Sequence, residues 1–90
     1  MKKNILVEKL SQDEARGRGI DEWPIWECEP SQFPWHYDQE ECCYLLEGEV
    51  TVHSEAGAQE LGPGDYVTFP RSLDCTWHVR KKVRKHYTFR

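Results

Sequence analysis

No apolar run in this chain approaches the roughly 18 residues that a membrane-spanning helix needs. The first apolar run, Ile5–Val7, is also far too short to be the core of a secretory signal peptide. The lack of both segments predicts a cytoplasmic protein with no membrane partner.

The cysteines lack the spacing of a metal-binding module. None of the four (Cys28, Cys42, Cys43 and Cys75) belongs to a Cys-x-x-Cys pair, and a zinc ribbon needs two such pairs. Cys42 and Cys43 are adjacent, so on a strand they would point to opposite faces. We therefore expect free, mostly buried thiols in a reducing compartment, and no disulfide scaffold.

Positive charge is missing from half of the chain. From Asp21 to Asp65 there are twelve acidic residues and no Lys or Arg. From Arg71 to Arg90 there are seven basic residues and one acid, Asp74. This separation predicts that strands of opposite charge pair across a sheet. The formal net charge of −4 argues against a nucleic-acid partner, because an acidic chain is repelled from phosphate at long range.

Aromatic residues, by contrast, are plentiful: the 90 residues include four Trp, four Tyr and three Phe. Each can bury about 150–250 Å², which suits one small folded domain with no room for a second core. In the first part, residues 1–19, we expect an edge strand at Ile5–Leu10 and one helical turn at Gln12–Arg16. Ser11 and Glu14 have the spacing of a capping box at the start of that turn.

Residues 20–90 carry the pattern of short β-strands. From Glu41 to Leu46 both faces of the predicted strand are largely apolar, which is typical of a central strand. Gly48 and the pair Lys81-Lys82 are expected to interrupt strands, and Gly62–Asp65 to form a turn. Short strands at regular spacing predict an all-β sandwich or barrel.

Two short motifs follow one another within this segment. Six residues separate Glu41 from Gly48, and five separate Gly64 from Pro70. Fifteen residues lie between the two motifs, and the stretch Trp23–Trp26 precedes them. In order and spacing the chain resembles the small single-domain cupins that are grouped with ureidoglycine aminohydrolase and ethanolamine-utilisation proteins.

The resemblance covers residues 20–90 and implies an RmlC-like jelly-roll barrel with its site inside. In metal-binding cupins, two His in a His-x-His arrangement precede the Glu, and a third His lies in the second motif. The matching positions here are Trp35, Tyr37 and Cys75, and only Glu41 keeps its type. Imidazole is the usual ligand for iron, copper and zinc, so these residues argue against the usual metal chemistry of the family.

Glu41 is expected to face the barrel interior, where a carboxylate needs a partner. Lys85 falls on the inward side of the last strand, and we predict that it approaches Glu41 or shares a network with Tyr37. Such a cluster has two interpretations: it only fixes the barrel, or it is a ligand-binding or acid–base pair. Glu41 and Lys85 are therefore candidate catalytic residues, together with Cys75.

Cys75 has three interpretations. It could be a small core residue, or a soft ligand that holds a divalent metal ion with Glu41 and either His36 or Cys43. A nucleophilic role would require a lowered thiol pKa and a nearby base. His36, however, falls on the outward side of its strand. The remaining histidines are also expected on the outer surface, solvated or at an interface: His53, His78 and His86.

The predicted ligand-binding set combines polar groups with an aromatic wall: Trp35, Tyr37, Glu41, Cys43, Trp77, Lys85 and Tyr87. Our main hypothesis is a cupin that binds a small polar molecule without the three-His metal site. The alternative is a divergent metal-dependent enzyme, aminohydrolase-like, with Glu41 and Cys75 as ligands. The residues alone do not decide whether the chain is an enzyme. A third interpretation is a barrel filled by its own side chains, which serves only in association.

We also expect a homodimer. Tyr44 and Leu46, on the far side of their strand from the predicted pocket, are apolar and could supply part of a dimer contact.

Overall fold

The computed structural model describes residues 4–90, which form one seven-stranded antiparallel sheet and two short helices. The elements in chain order are β1 (Leu6–Lys9), α1 (Gln12–Gly17), a 3₁₀ helix (Ile20–Glu22), β2 (Ile25–Cys28), β3 (Ser31–His36), β4 (Glu41–Ser54), β5 (Gly57–Leu61), β6 (Asp65–Phe69) and β7 (Asp74–Phe89). The all-β prediction with one short N-terminal helical turn is confirmed. No helix among the described residues is long and apolar enough to cross a membrane.

Two long strands, β4 and β7, form the spine of the sheet. They pair with each other along nearly their whole length. On its other side β4 pairs first with β6 and then with β5, whereas β7 pairs first with β3 and then with β2. β1 adds to the free side of β6. Each long strand thus pairs with two short strands in succession along its outer side. With this arrangement one sheet curves around a shared interior.

The curvature of the sheet depends on a bulged segment of β4, here called the crease, that the sequence did not predict. Gly48 and Lys81-Lys82 were expected to interrupt strands, but both lie within continuous strands. Instead, the register between β4 and β7 shifts between Leu45 and Val50, which is the mark of β-bulges. Bulges bend a strand sharply while the ladder continues on either side. Gly48 has φ +111°, and a Cβ there would lie 2.6 Å from the carbonyl oxygen of Lys82.

Apolar side chains of the inner face fill the interior of the coil. The buried members of this inner core are Tyr37, Cys43, Leu45, Val50, Val52, Leu61, Val67, Phe69, Leu73, Cys75, Trp77, Val79 and Val83. All four cysteines are free, and three of them are buried, as predicted. Most of the stabilisation of so small a domain must come from this core and its large rings.

The predicted pairing of acidic and basic strands is confirmed across the sheet. Glu27 of β2 lies 3.3 Å from Arg84 of β7, and Glu49 of β4 lies 3.5 Å from Lys81 of β7. These side chains are well exposed, so each pair contributes about 0–1 kcal/mol. Their main effect is therefore on strand register rather than on stability.

The N-terminal segment covers the outer face of β4. The capping box is present: Ser11 accepts from the backbone of Glu14, whose carboxylate accepts from the backbone of Ser11. Leu10, Ala15 and Ile20 pack on Tyr44 as a second cluster, which also involves Leu46. Tyr44 is only 4% exposed, and its hydroxyl donates to the carbonyl of Leu10.

This cover corrects two expectations. Tyr44 packs against the N-terminal segment of the same chain and is not free to form a dimer contact, whereas Leu46 stays partly exposed. The homodimer itself stays a prediction. His86 is buried rather than solvated, and its Nδ1 lies 2.8 Å from the carbonyl oxygen of Trp23. His53 and His36 are exposed on the outside as expected, and His78 is partly exposed.

We expect Gly48→Ala to destabilise the fold more than Gly57→Ala. Both glycines have φ near +110°, so either substitution strains the backbone by about 1–3 kcal/mol. Nothing lies within 4 Å of a Cβ at Gly57, whereas a Cβ at Gly48 meets the backbone of Lys82 and Val83. Urea unfolding should therefore show a larger loss of unfolding free energy for Gly48→Ala than for Gly57→Ala. Equal losses would contradict the close approach of β4 and β7 at Gly48.

Candidate functional site

A cavity of about 220 Å³ opens between β2, β3 and the C-terminal half of β7. Its lining residues are Trp26, Phe33, Trp35, Tyr37, Glu41, Lys85, Tyr87 and Phe89. Six of these eight residues are aromatic, and two carry opposite charges. The site is therefore an apolar pocket with a small group of polar atoms, the usual composition of a small-molecule site.

The polar atoms belong to one connected network. Lys85 Nζ lies 2.8 Å from Glu41 Oε2, and the hydroxyl of Tyr37 donates to Glu41 Oε1 at 2.8 Å. The predicted contact among these three residues is confirmed. Glu41 is 3% and Lys85 5% exposed, so the ion pair is almost fully removed from water.

The sheet register places each member of the network. Glu41 is the first residue of β4, and Lys85 stands opposite Leu45 of β4 on one side and Trp26 of β2 on the other. Tyr37 follows β3 directly. Its backbone N–H donates to Leu73, and its carbonyl accepts from Ser72, so the turn before β7 fixes the tyrosine.

Ser72 adopts the left-handed conformation in that turn, with φ +70°. Few residues other than glycine adopt this region readily, because the Cβ approaches the following carbonyl. The turn that holds Tyr37 therefore carries some backbone strain.

The ammonium group of Lys85 also contacts the faces of two indole rings. Nζ lies 4.4 Å from the ring centroid of Trp77 and 5.1 Å from that of Trp26. Such contacts stabilise a desolvated cation by about 2 kcal/mol or more. The buried charge thus has a carboxylate on one side and two π-faces on the others.

Packed rings make the aromatic wall rigid. Tyr37 stacks on Phe69 with 4.9 Å between centroids and 11° between planes. Trp26 stands edge-on to both Phe33 and Trp77. Trp35 lies at the rim, where it meets Tyr37 edge-on and stays 49% exposed. The cavity has a fixed inner wall and an open aromatic rim.

The structure brings together most, but not all, of the residues predicted for ligand binding. Trp35, Tyr37, Glu41, Lys85 and Tyr87 line the cavity. The other two do not: Cys43 is fully buried in the inner core, and Trp77 lies behind the wall with its face on Lys85. Their inward orientation was predicted correctly, but neither is among the residues that line the cavity.

Sequence reasoning missed three lining residues: Trp26, Phe33 and Phe89. Trp26 pairs directly opposite Lys85, but the sequence does not show that β2 adds to β7 at that register. Phe89 lies two residues beyond Tyr87 on the same face of β7, so strand alternation alone could have identified it. Phe33 lies two residues before Trp35, where the same alternation applies.

The residues at the metal-ligand positions of the family do not fit a metal ion. Burial, and then the charge of Glu41, raise the pKa of Tyr37 well above its usual range, so a phenolate ligand is disfavoured. Burial also raises the pKa of Cys75 to about 11, which keeps the thiol protonated. Cys75 donates a weak hydrogen bond to the carbonyl of Trp35.

The remaining metal candidate lies outside the cavity. His36 Nδ1 is 2.6 Å from Asp74 Oδ1 at the surface. Among residues 4–90 there is no group of three or more His, Cys, Asp or Glu side chains that could hold a metal ion. The alternative ligand set of Glu41, Cys75 and His36 is thus not assembled. A protonated Cys75 is also a poor nucleophile.

The fold and the site together define a cupin, a jelly-roll barrel with its polar groups inside. Residues 16–87 match the EutQ-like cupin domain, and the chain belongs to this family. The predicted class of protein is thereby confirmed. A comparison with curated proteins finds no match.

Three solved structures show how far the likeness extends. A DUF861 family protein from Thermotoga maritima is 43% identical over 97% of this chain and all of its own, with a TM-score of 0.90. A putative ethanolamine utilization protein from Salmonella typhimurium is 20% identical over 94% of this chain and 68% of its own, with a TM-score of 0.66. The polyketide cyclase RemF from Streptomyces resistomycificus is 20% identical over 72% of this chain and 50% of its own, with a TM-score of 0.61. At 20% identity, the last two likenesses are evidence for the fold alone.

We expect Lys85→Met to cost about 3–5 kcal/mol of folding free energy, because it leaves Glu41 buried without its partner. The double variant with Glu41→Gln should be more stable than Lys85→Met alone, since no unpaired charge remains. Urea unfolding of the four proteins measures this coupling. Lys81→Met, which breaks the exposed pair with Glu49, is the control and should change stability by less than about 1 kcal/mol. Additive losses at Glu41 and Lys85 would show that the two side chains do not interact.

The alkaline stability of the protein should depend on Cys43. Burial raises the pKa of this thiol from 9.0 to about 12, so it stays protonated in the fold while the unfolded chain releases its proton. Between pH 8 and pH 10 the native protein should lose about 1.4 kcal/mol through this group. Cys43→Ala should lose that much less over the same range.

Urea unfolding at both pH values measures the difference. Cys28→Ala, which removes a thiol near the surface, is the control. If the two variants show the same change from pH 8 to pH 10, the buried thiol is not what sets the alkaline limit.

Proposed function

We propose that this protein binds a small polar molecule in the aromatic cavity, without a bound transition metal. The observation that carries the proposal is the network of Tyr37, Glu41 and Lys85 beneath an open cavity walled by rings. A buried ion pair contributes little net stability compared with apolar residues of similar volume. Its presence at the wall of a cavity is therefore better explained by recognition than by stability.

The size of the cavity limits the ligand. Its volume of about 220 Å³ is below the roughly 300–1,000 Å³ of sites for drug-sized molecules. A molecule of about one ring fits this space. The third interpretation of the sequence, a barrel filled by its own side chains, is less favoured because the cavity is open.

Exposed rings at the rim support the same proposal. Trp35 is 49% and Phe89 44% exposed, and both line the cavity. When a ligand covers partly exposed aromatic side chains, the burial favours binding by about 25 cal/mol per Å² of apolar surface. A flat molecule stacked against this rim would gain both that burial and a polar contact with Lys85.

The metal-dependent enzyme is the weaker of our two hypotheses. It would require Cys75 to bind as a thiolate, and burial opposes that. It would also require Glu41 to leave Lys85 for the metal, which would leave the ammonium without its carboxylate. Each requirement has a free-energy cost, and binding of a small molecule without a metal has neither cost.

Trp35→Ala should weaken ligand binding and leave the fold intact, because the ring is half exposed. The matched control is Trp23→Ala, which removes an indole from the outer cluster, where Trp23 packs near Tyr66. Ligand-observed NMR with benzamide, benzoate and benzamidine at millimolar concentration should show binding of at least one probe to the wild type and to Trp23→Ala. Trp35→Ala should bind that probe at least about tenfold more weakly. Binding that survives in Trp35→Ala, or no binding of any probe, would overturn the proposal.

A further inference from the structure

We propose that the cavity selects an uncharged, planar, one-ring molecule whose hydrogen-bond acceptor binds Lys85. This inference rests on the proposed binding function and specifies its ligand class. It comes from the way in which the hydrogen-bonding capacity of the cavity is divided between Lys85 and Glu41.

Only one of the N–H donors of Lys85 meets an oxygen atom. An ammonium group carries three N–H donors. Among the residues that the structure describes, Nζ donates one conventional hydrogen bond, to Glu41 Oε2, and otherwise faces the rings of Trp77 and Trp26. Lys85 is nearly buried, yet it lines the cavity. A π-face is a weaker acceptor than an oxygen or nitrogen atom, so an acceptor atom in the cavity would give the ammonium a stronger contact than a ring does.

Glu41 is better satisfied than Lys85. Each of its oxygens already accepts a hydrogen bond, from Tyr37 and from Lys85. A carboxylate oxygen can accept a second hydrogen bond, so a ligand that also donates can be accommodated at Glu41. The larger gain is at Lys85, whose ammonium faces only rings apart from its bond to Glu41.

The two charges of the site cancel at close range. An anionic ligand at Lys85 would also approach Glu41, whose carboxylate lies 2.8 Å from Nζ. A cationic ligand at Glu41 would meet Lys85 in the same way. Both would give up hydration in a cavity walled by rings, where like charges are poorly screened. An uncharged ligand has neither cost.

Ring contacts favour a flat ligand. The cavity wall presents Trp26, Phe33 and Trp35, and aromatic pairs prefer offset stacked or edge-to-face arrangements with centroids about 4.5–7 Å apart. A planar ring in the cavity could adopt such contacts, whereas a puckered ring of similar size could not stack.

Four probes separate these requirements. Benzamide, benzoate and benzamidine share a ring and nearly the same shape, but at neutral pH they are uncharged, anionic and cationic. Cyclohexanecarboxamide keeps the amide of benzamide and loses the flat ring. Titration of the wild-type protein, followed by NMR of the Trp35 indole and the Lys85 ammonium, gives a dissociation constant for each probe at this site. No variant is needed, so a failure to fold cannot obscure the result.

Benzamide should bind at least about tenfold more tightly than each of the other three probes, a difference of about 1.4 kcal/mol. It should also shift the Lys85 ammonium resonance. Tighter binding of benzoate or benzamidine would overturn the inference about charge and leave the proposed binding function standing. Equal binding of cyclohexanecarboxamide would overturn the inference about planarity. If no probe perturbs Trp35 or Lys85, both the inference and the proposed function fail.

Discussion

The ion pair of Lys85 and Glu41 is the interaction around which the site is organised. Two charges in an apolar interior are tolerated only when each satisfies the other, and here Tyr37 and two indole rings complete the arrangement. In effect, the cation that faces Glu41 is the ammonium group of the chain itself. The neighbouring residues agree with this: a buried phenol and a protonated thiol stand where a metal site would need deprotonated ligands.

The fold positions this pair through its two long strands. Glu41 begins β4 and Lys85 lies in the second half of β7, and the pairing of the two strands brings them together. The bulged crease near Gly48 bends both strands, so that β2 and β3 can add to β7 and carry Trp26, Phe33 and Trp35 to the same cavity. The aromatic wall is thus a consequence of sheet topology rather than of a local motif.

The difference between local strand pattern and sheet topology explains what the sequence could and could not predict. The resemblance to cupins placed Glu41 and Tyr37 inside the barrel, and strand alternation placed Lys85 on the same side, which was enough to predict one network. Gly48 was misread because a bulge reflects the fit of two strands that lie far apart in the chain, and a glycine alone also fits a strand end. Tyr44 was misread for a similar reason: an apolar outer face shows that something covers it, but not that the N-terminal segment does. The sequence also did not show how deeply an inward side chain is buried. Alternation places Trp77 inward without showing that it lies behind the cavity wall.

In this structure the positive charge at Glu41 is Lys85, and a metal ion is not needed to balance the carboxylate. The most direct test is the metal content of the untagged, gently purified protein, measured by mass spectrometry after incubation with Mn, Fe, Zn and Cu and compared with a Cys75→Ala variant. If Lys85 supplies this charge, we expect far less than one metal per chain, and the same amount in both proteins. Near-stoichiometric metal in the wild type that falls in Cys75→Ala would contradict this and restore the metal-dependent enzyme as the leading hypothesis.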